Sequence, residues 1–257
     1  MMNTIGIADT LAQKATNSKG STLTQRLVRI IKHGSFNSFT SQECAREIMG
    51  RNFFGVEEAS QHFGFKPSKR ELATLAQVPF SAKTLTACKY THVLVAVFAL
   101  SVLDIRRKVA AGRELFFCRC FGTSHPDSTH EEPWLSEQAF AKDYGKIGWH
   151  LVRKTPVPDS TDLTWWMQQI LLGMNEKTPS ARVLIYTIVG HYLSTREFLF
   201  TDLPHVRCSD RLSLGRGVLV SNWRKGNPYG AGSGIGCNDV SRLSISCLTG
   251  VASERKR

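Results

Sequence analysis

Hydrophobic and polar positions change period several times along the chain, and each change marks an element. Over 91–99 nearly every position is apolar, from His92 and Val93 to Phe98, which predicts a strand covered on both faces. Directly after it, Val102, Ile105 and Val109 recur at helical spacing with Arg106, Arg107 and Lys108 between them, so 101–111 predicts an amphipathic helix. A second strand is expected over 114–121. The stretch 134–153 is amphipathic around Ala139, Phe140 and Tyr144, then alternates like a strand through Ile147, Trp149 and Leu151. A helix is expected over 160–173, carrying Trp165, Trp166, Ile170, Leu171 and Leu172; core packing is expected of the paired tryptophans ahead of a ligand platform. Residues 181–193 are apolar on nearly every side and predict the most buried helix. Short strands follow around 206–209 and 218–223.

Local signals place the helix ends. Thr40-Ser41-Gln42-Glu43 reads as a capping box opening a helix that Gly50 ends, and a second short helix over 56–63 stops at Gly64. Ser68 and Glu71 form another box, opening a helix through Leu72, Leu75 and Ala76 that Pro79 terminates. Thr178-Pro179 offers an N-cap and a first-turn proline to the helix at 181–193. The helices at 41–78 invite a helix-turn-helix reading. Spacing argues against it: with Gly64 as the turn, Pro67 falls in the recognition helix and Arg70 stands where an apolar contact is needed. Lys66, Lys69 and Arg70 are the positions at which this region would meet phosphate in a nucleic-acid complex.

At 257 residues, with 42% hydrophobic and 21% charged residues, the chain has an ordinary globular composition and room for one or two domains. The expected class is α+β. The expected organisation is a flexible N-terminal arm at 1–40, a helical and strand-containing region at 41–155, and a C-terminal region at 156–257, with Pro156 and Pro158 at the boundary. Residues 1–40 are rich in Ser and Thr and carry five Lys or Arg against one acid, a composition shared with organelle transit peptides. The formal charge of +12 favours acidic partners, nucleic acid among them. It is spread along the chain, with nine Lys or Arg against three acids in 205–257.

Seven scattered cysteines, an odd number, fit reduced thiols in a cytoplasm better than a disulfide framework. The longest apolar run, 92–103, is about 12 residues and too short for a bilayer, so no membrane partner is expected. Cys118 and Cys120 alternate onto one strand face ahead of His125 and His130, a spacing unlike that of structural zinc. The glycine-rich stretch at 226–236 lacks the following helix that a phosphate loop requires. His191 reads as a satisfied histidine near a helix end, with no nucleophile beside it. Neither a metal, a cofactor nor a catalytic residue is expected.

Ser221-Asn222-Trp223 at a strand end, a loop of Gly, Asn, Ser, Asp and Tyr, and a closing Gly250-Val251-Ala252-Ser253 strand resemble the C-type-lectin-like variable domains diversified by retroelements. The family's Gly-Gly-Ser-Trp stands here as Val220-Ser221-Asn222-Trp223. The resemblance implies noncatalytic display of variable side chains to a protein or other macromolecular ligand, at Asn222, Trp223, Asn227, Tyr229, Asn238, Asp239, Ser241, Arg242 and Ser244. Tyr and Trp suit such a surface because they give large contact area at low entropic cost. Formylglycine-generating enzymes share that fold, so a metal-dependent enzyme of that type is a further alternative, although the family's catalytic cysteine pair and metal ligands do not map onto Cys237 and Cys247. The longer run from Ala45-Arg46-Glu47-Ile48-Met49-Gly50 to Gly190-His191-Tyr192-Leu193 is similar to uncharacterised proteins of uncultivated small-genome bacteria, which implies no activity.

Overall fold

A computed structural model describes residues 39–112, 116–117, 133–201, 205–212, 217–223, 234–239 and 249–256. In order, the elements are β1 (Thr40–Ser41), α1 (Gln42–Met49), a 3-10 turn (Gly50–Asn52), β2 (Phe53–Phe54), α2 (Val56–Phe63), α3 (Lys69–Leu75), β3 (Gln77–Val78), α4 (Ala82–Cys88), β4 (His92–Val97), α5 (Val102–Gly112) and β5 (Phe116–Phe117). They continue with α6 (Pro133–Glu137), α7 (Ala139–Lys142), β6 (Gly148–Arg153), α8 (Trp165–Ile170), β7 (Glu176–Lys177), α9 (Ala181–Thr195), β8 (His205–Arg211), β9 (Gly217–Trp223), β10 (Gly234–Asp239), β11 (Thr249–Val251) and β12 (Glu254–Arg255). The protein is α+β, as its periodicities predict.

Two five-stranded sheets organise the chain, one in the order β2-β4-β6-β12-β7 and the other β11-β8-β9-β10-β5. β4 is buried at all six positions and runs antiparallel to β6, from His92 opposite Arg153 to Val97 opposite Gly148. β2 joins its other edge in parallel, with Phe53 opposite Leu94. In the second sheet β8, β9 and β10 are antiparallel, while β11 lies parallel to β8 and β5 parallel to β10. β1 and β3 form a separate antiparallel pair.

α9 buries every residue from Ala181 to His191 and packs on β2 and β4 of one sheet and on β8 and β9 of the other. A helix apolar all round is stable only when covered on all sides, and its place between the sheets supplies that cover. Its one buried cation is Arg182, whose guanidinium donates to Phe98 O at 2.9 Å and Lys146 O at 3.1 Å. Burial lowers the pKa of Arg182; the two carbonyls accept from the charge where water does not reach.

One hydrophobic cluster runs from Ala45 to Ala252, so the boundary expected at 155–156 does not divide the core. The reason lies in β12, which inserts between β6 and β7, with Glu254 opposite both Val152 and Lys177. Glu254 is buried; His150 Nδ1 lies 2.5 Å from one carboxylate oxygen and Lys177 Nζ 3.1 Å from the other. Burial pushes its carboxyl up, but His150 and Lys177 more than offset this and hold it below its usual range.

Several helix ends shift by a residue or two from expectation. Ser41, not Thr40, caps α1, accepting from Cys44 N. Thr40 is instead in β1 and donates its hydroxyl to Phe80 O at 2.6 Å. Ser180 caps α9 by accepting from Val183 N, leaving Thr178 and Pro179 outside the helix. The Ser68–Glu71 box forms as read, with Glu71 accepting from Ser68 N at 2.7 Å. Cys118, Cys120, His125 and His130 lie outside the described residues, as does the arm at 1–40 except for Phe39 and Thr40.

Candidate functional site

The candidate site lies where the start of α8 meets β8. Thr164 caps α8 by accepting from Met167 N, and the register of β8 carries Arg207, Cys208, Ser209, Asp210 and Arg211 past it. Together with Trp165 and Gly217 these residues enclose a cavity of about 260 Å³. Pockets that take a whole small molecule begin at about 300 Å³, so this one matches a single anchoring side chain better than a cofactor.

Arg207 is held from within. Its Nη1 donates to Gln168 Oε1 at 3.2 Å, while Gln168 Nε2 donates to Ser160 O at 2.6 Å and Thr249 O at 3.0 Å. Arg207 Nε is buried with no partner among the described residues. Burial lowers the Arg207 pKa, although a guanidinium starting above 12 stays charged at neutral pH. Arg211 lies 5.9 Å from the Trp165 ring centroid, within cation–π range. Asp210 accepts the Ala181 N–H at the start of α9 at 2.5 Å. Its carboxyl is raised by burial, which outweighs that bond. Cys208 is buried, and burial pushes its thiol well above the ordinary value, which leaves it a poor nucleophile.

Beside the cavity, α8 and the turn that follows it leave an apolar stripe facing outward. Trp166 is 72% exposed, Ile170 59% and Met174 92%, with Met167 and Leu171 also exposed. The expected core helix is therefore inverted, and the expectation that the paired tryptophans pack in the core is corrected. The physical reason is Gln168, the residue of α8 that is fully buried. The Ser160 and Thr249 carbonyls need a donor, and the helix rotates to supply one. Glutamine at the centre of an apolar helical run was the available signal for this.

The structure splits the display positions inferred from resemblance. Asn222 and Trp223 end β9 opposite Ile235 and Gly234; Asn238 and Asp239 stand opposite Leu219 and Val218. The two pairs are five ladder positions apart at their far ends, roughly 17 Å, and the Asp239 end is the one next to Gly217 and the cavity. Asn227, Tyr229, Ser241, Arg242 and Ser244 lie outside the described residues. Cys237 stands opposite Val220, and Cys247 also lies outside them.

Lys66, Lys69 and Arg70 are exposed around the start of α3. That helix has seven residues, about 10 Å of axis, and its first turn is closed by Ser68 and Glu71. His191 is buried, its Nε2 3.9 Å from the Glu197 carboxylate, beyond hydrogen-bond reach. Burial first, then Lys154 and Arg51, lower its pKa to about 4, so it is a neutral core histidine whose Nε2 is unpartnered. Among the described residues no group of three His, Cys, Asp or Glu is placed to hold a metal ion, and no helix is long and apolar enough to cross a membrane. Comparison of the chain with family models, with curated proteins and with solved structures finds no match.

Proposed function

We propose that this chain is a noncatalytic binding protein whose ligand is another protein, gripped by the outward stripe of α8 and anchored in the Arg207 cavity. The observation that carries the reading is the run Trp166, Met167, Ile170, Leu171 and Met174, five large apolar side chains left exposed within nine residues. Contiguous exposed apolar surface of this kind marks partner contacts, and Trp, Met and Arg are the types enriched at them. The cavity beside it, about 260 Å³ with a held guanidinium on its wall, suits an acidic or aromatic side chain of the partner.

The test is photocrosslinking in source cells from a benzophenone amino acid at position 170, with exposed Tyr90 replaced as the control. A discrete adduct from position 170, lost when Trp166 and Met174 are changed to Ser and not formed from position 90, is the expected result. No discrete adduct from position 170 would overturn the proposal. The lectin-like display surface is a narrower form of the same reading. It is supported by the resemblance and by the ladder that holds Asn222, Trp223, Asn238 and Asp239. Sequencing the gene across the source population tests it: substitutions concentrated at codons 222–246 are expected, and uniform variation would sink it.

A second reading, binding to nucleic acid, is favoured by the exposure of Lys66, Lys69 and Arg70 and by the net charge of +12. Counterion release makes such binding fall steeply with salt. Duplex DNA that fails to bind even at low salt would remove this reading.

A further inference from the structure

Four unpartnered polar atoms gather on one face of the first sheet. His92 stands opposite Arg153 in the β4–β6 ladder. The row continues to Ser253, whose carbonyl accepts the Arg153 N–H at 2.9 Å as β12 approaches β6. Arg255 follows two residues on, opposite Glu176 of β7. Because side chains alternate along a strand and pair across it, 92, 153, 253 and 255 all turn to the same face. His92 Nε2, Arg153 Nε, Ser253 Oγ and Arg255 Nε are each buried with no hydrogen-bond partner among the described residues.

Among the described residues, the neighbouring acids form no ion pair with the row. Glu176, the acid opposite Arg255, accepts the Gly173 N–H at 3.2 Å and makes no ion pair with either arginine. Glu254 points to the other face, where His150 and Lys177 hold it. Thr91 Oγ1 lies 2.8 Å from His92 Nδ1 and 3.4 Å from Cys88 O; Nε2 carries the imidazole proton toward the row in the tautomer in which Thr91 donates to the nearer group, Nδ1. Burial, then the charge of Arg153, and also that of Arg255, lower the His92 pKa to about 4, with Glu176 opposing. Both guanidinium groups therefore act on the imidazole. Buried donors rarely go unmatched in folded proteins, and each exception asks for a missing partner.

We propose that His92, Arg153, Ser253 and Arg255 form a binding site for a phosphate group, carried by inorganic phosphate or a small monoester. Two half-buried guanidinium groups present N–H pairs to its oxygens, the serine hydroxyl donates to a third, and the imidazole N–H closes the inner side. A carboxylate has two oxygens for these four donors, whereas inorganic phosphate has four and a monoester three free ones. The site is separate from the Arg207 cavity and independent of the protein-binding proposal.

The experiment is calorimetric titration of the full chain with inorganic phosphate, and with glycerol 3-phosphate, at constant ionic strength against chloride. Saturable binding is expected, weakened at least about tenfold in Arg255→Gln, since one charge-assisted contact is lost. It should be unchanged in Arg107→Gln, an exposed arginine of α5 outside the proposed site. Stronger binding of the monoester would assign the site to a small phosphorylated molecule, and stronger binding of phosphate to the free ion; both support the proposal. No saturable binding in the unaltered chain overturns it, as does equal weakening by Arg107→Gln or none by Arg255→Gln. Should Arg255→Gln not fold, the His92 imidazole resonances of the unaltered chain decide. They are expected to move along the calorimetric binding curve, and resonances that stay fixed overturn the proposal.

Discussion

His92 and His191 are both buried, and burial above all lowers the pKa of each from 6.5 to about 4. Between those values the unfolded chain binds more protons than the folded one, so stability rises with pH through that window. It is fully present above about 6.5 and lost as pH falls to about 4, on the order of 3 kcal/mol for each histidine. Urea midpoints measured from pH 7 to 4 should fall accordingly, and His191→Leu should flatten the slope; an equally steep profile in that variant would sink the assignment. The lowered carboxyl of Glu254 acts below this window, its stability being present above 4.5 and lost as pH falls further. Arg182→Met should cost about 3 kcal/mol in chemical denaturation, because the Phe98 and Lys146 carbonyls lose their donor. Trp166→Ser should change stability by less than about 0.5 kcal/mol, since that side chain is mostly exposed. The sequence showed Trp166 as apolar but not which way it faced: that depends on carbonyls at 160 and 249 meeting Gln168, partners far apart in the chain.

The elements most legible in the sequence were those with a dominant local period. β4 reads as continuously apolar and is buried throughout, and α9 reads as apolar all round and lies between two sheets. Helix starts were legible to within a residue or two where a cap was read, but the helix expected from 160 begins at Trp165 and α4 was not read at all. Where Thr40 and Ser41, or Thr178 and Ser180, both offer a hydroxyl, tertiary pairing chooses, and β1 takes Thr40 for Phe80 O. Gly190 is a case in which element and packing oppose each other. A Cβ there would meet the Phe54 ring at 2.8–2.9 Å. Gly190→Ala gains about 1 kcal/mol of helix propensity but overpacks the core at a cost of about 1–3 kcal/mol. The expected outcome is net destabilisation in urea, and Phe54→Leu in the same chain should relieve part of it. The site itself was largely illegible, because Arg207 and Trp165 come together only through the docking of α8 on β8.

At the scale of the whole molecule, the hydrophobic cluster of the described residues continues across the proline pair at 156 and 158. No local pattern announces that residues 254–255 complete a sheet begun at Phe53, because strand partners are chosen by the folded chain. Glu254→Gln should lower stability by about 2 kcal/mol through its weakened bonds to His150 and Lys177. The timing of that loss follows from topology. His150 and Glu254 are 104 residues apart, and closing so long a loop costs about 4 kcal/mol of chain entropy before any contact rewards it. β12 should therefore dock after the folding barrier, so that in stopped-flow experiments Glu254→Gln speeds unfolding and leaves the refolding rate nearly unchanged. Until β12 docks, the side of β6 facing away from β4 is a bare sheet edge whose backbone N–H and C=O groups are unpaired, the kind of edge along which chains add to one another. The yield of refolding at high protein concentration should then depend on how quickly two residues, Glu254 and Arg255, find their place.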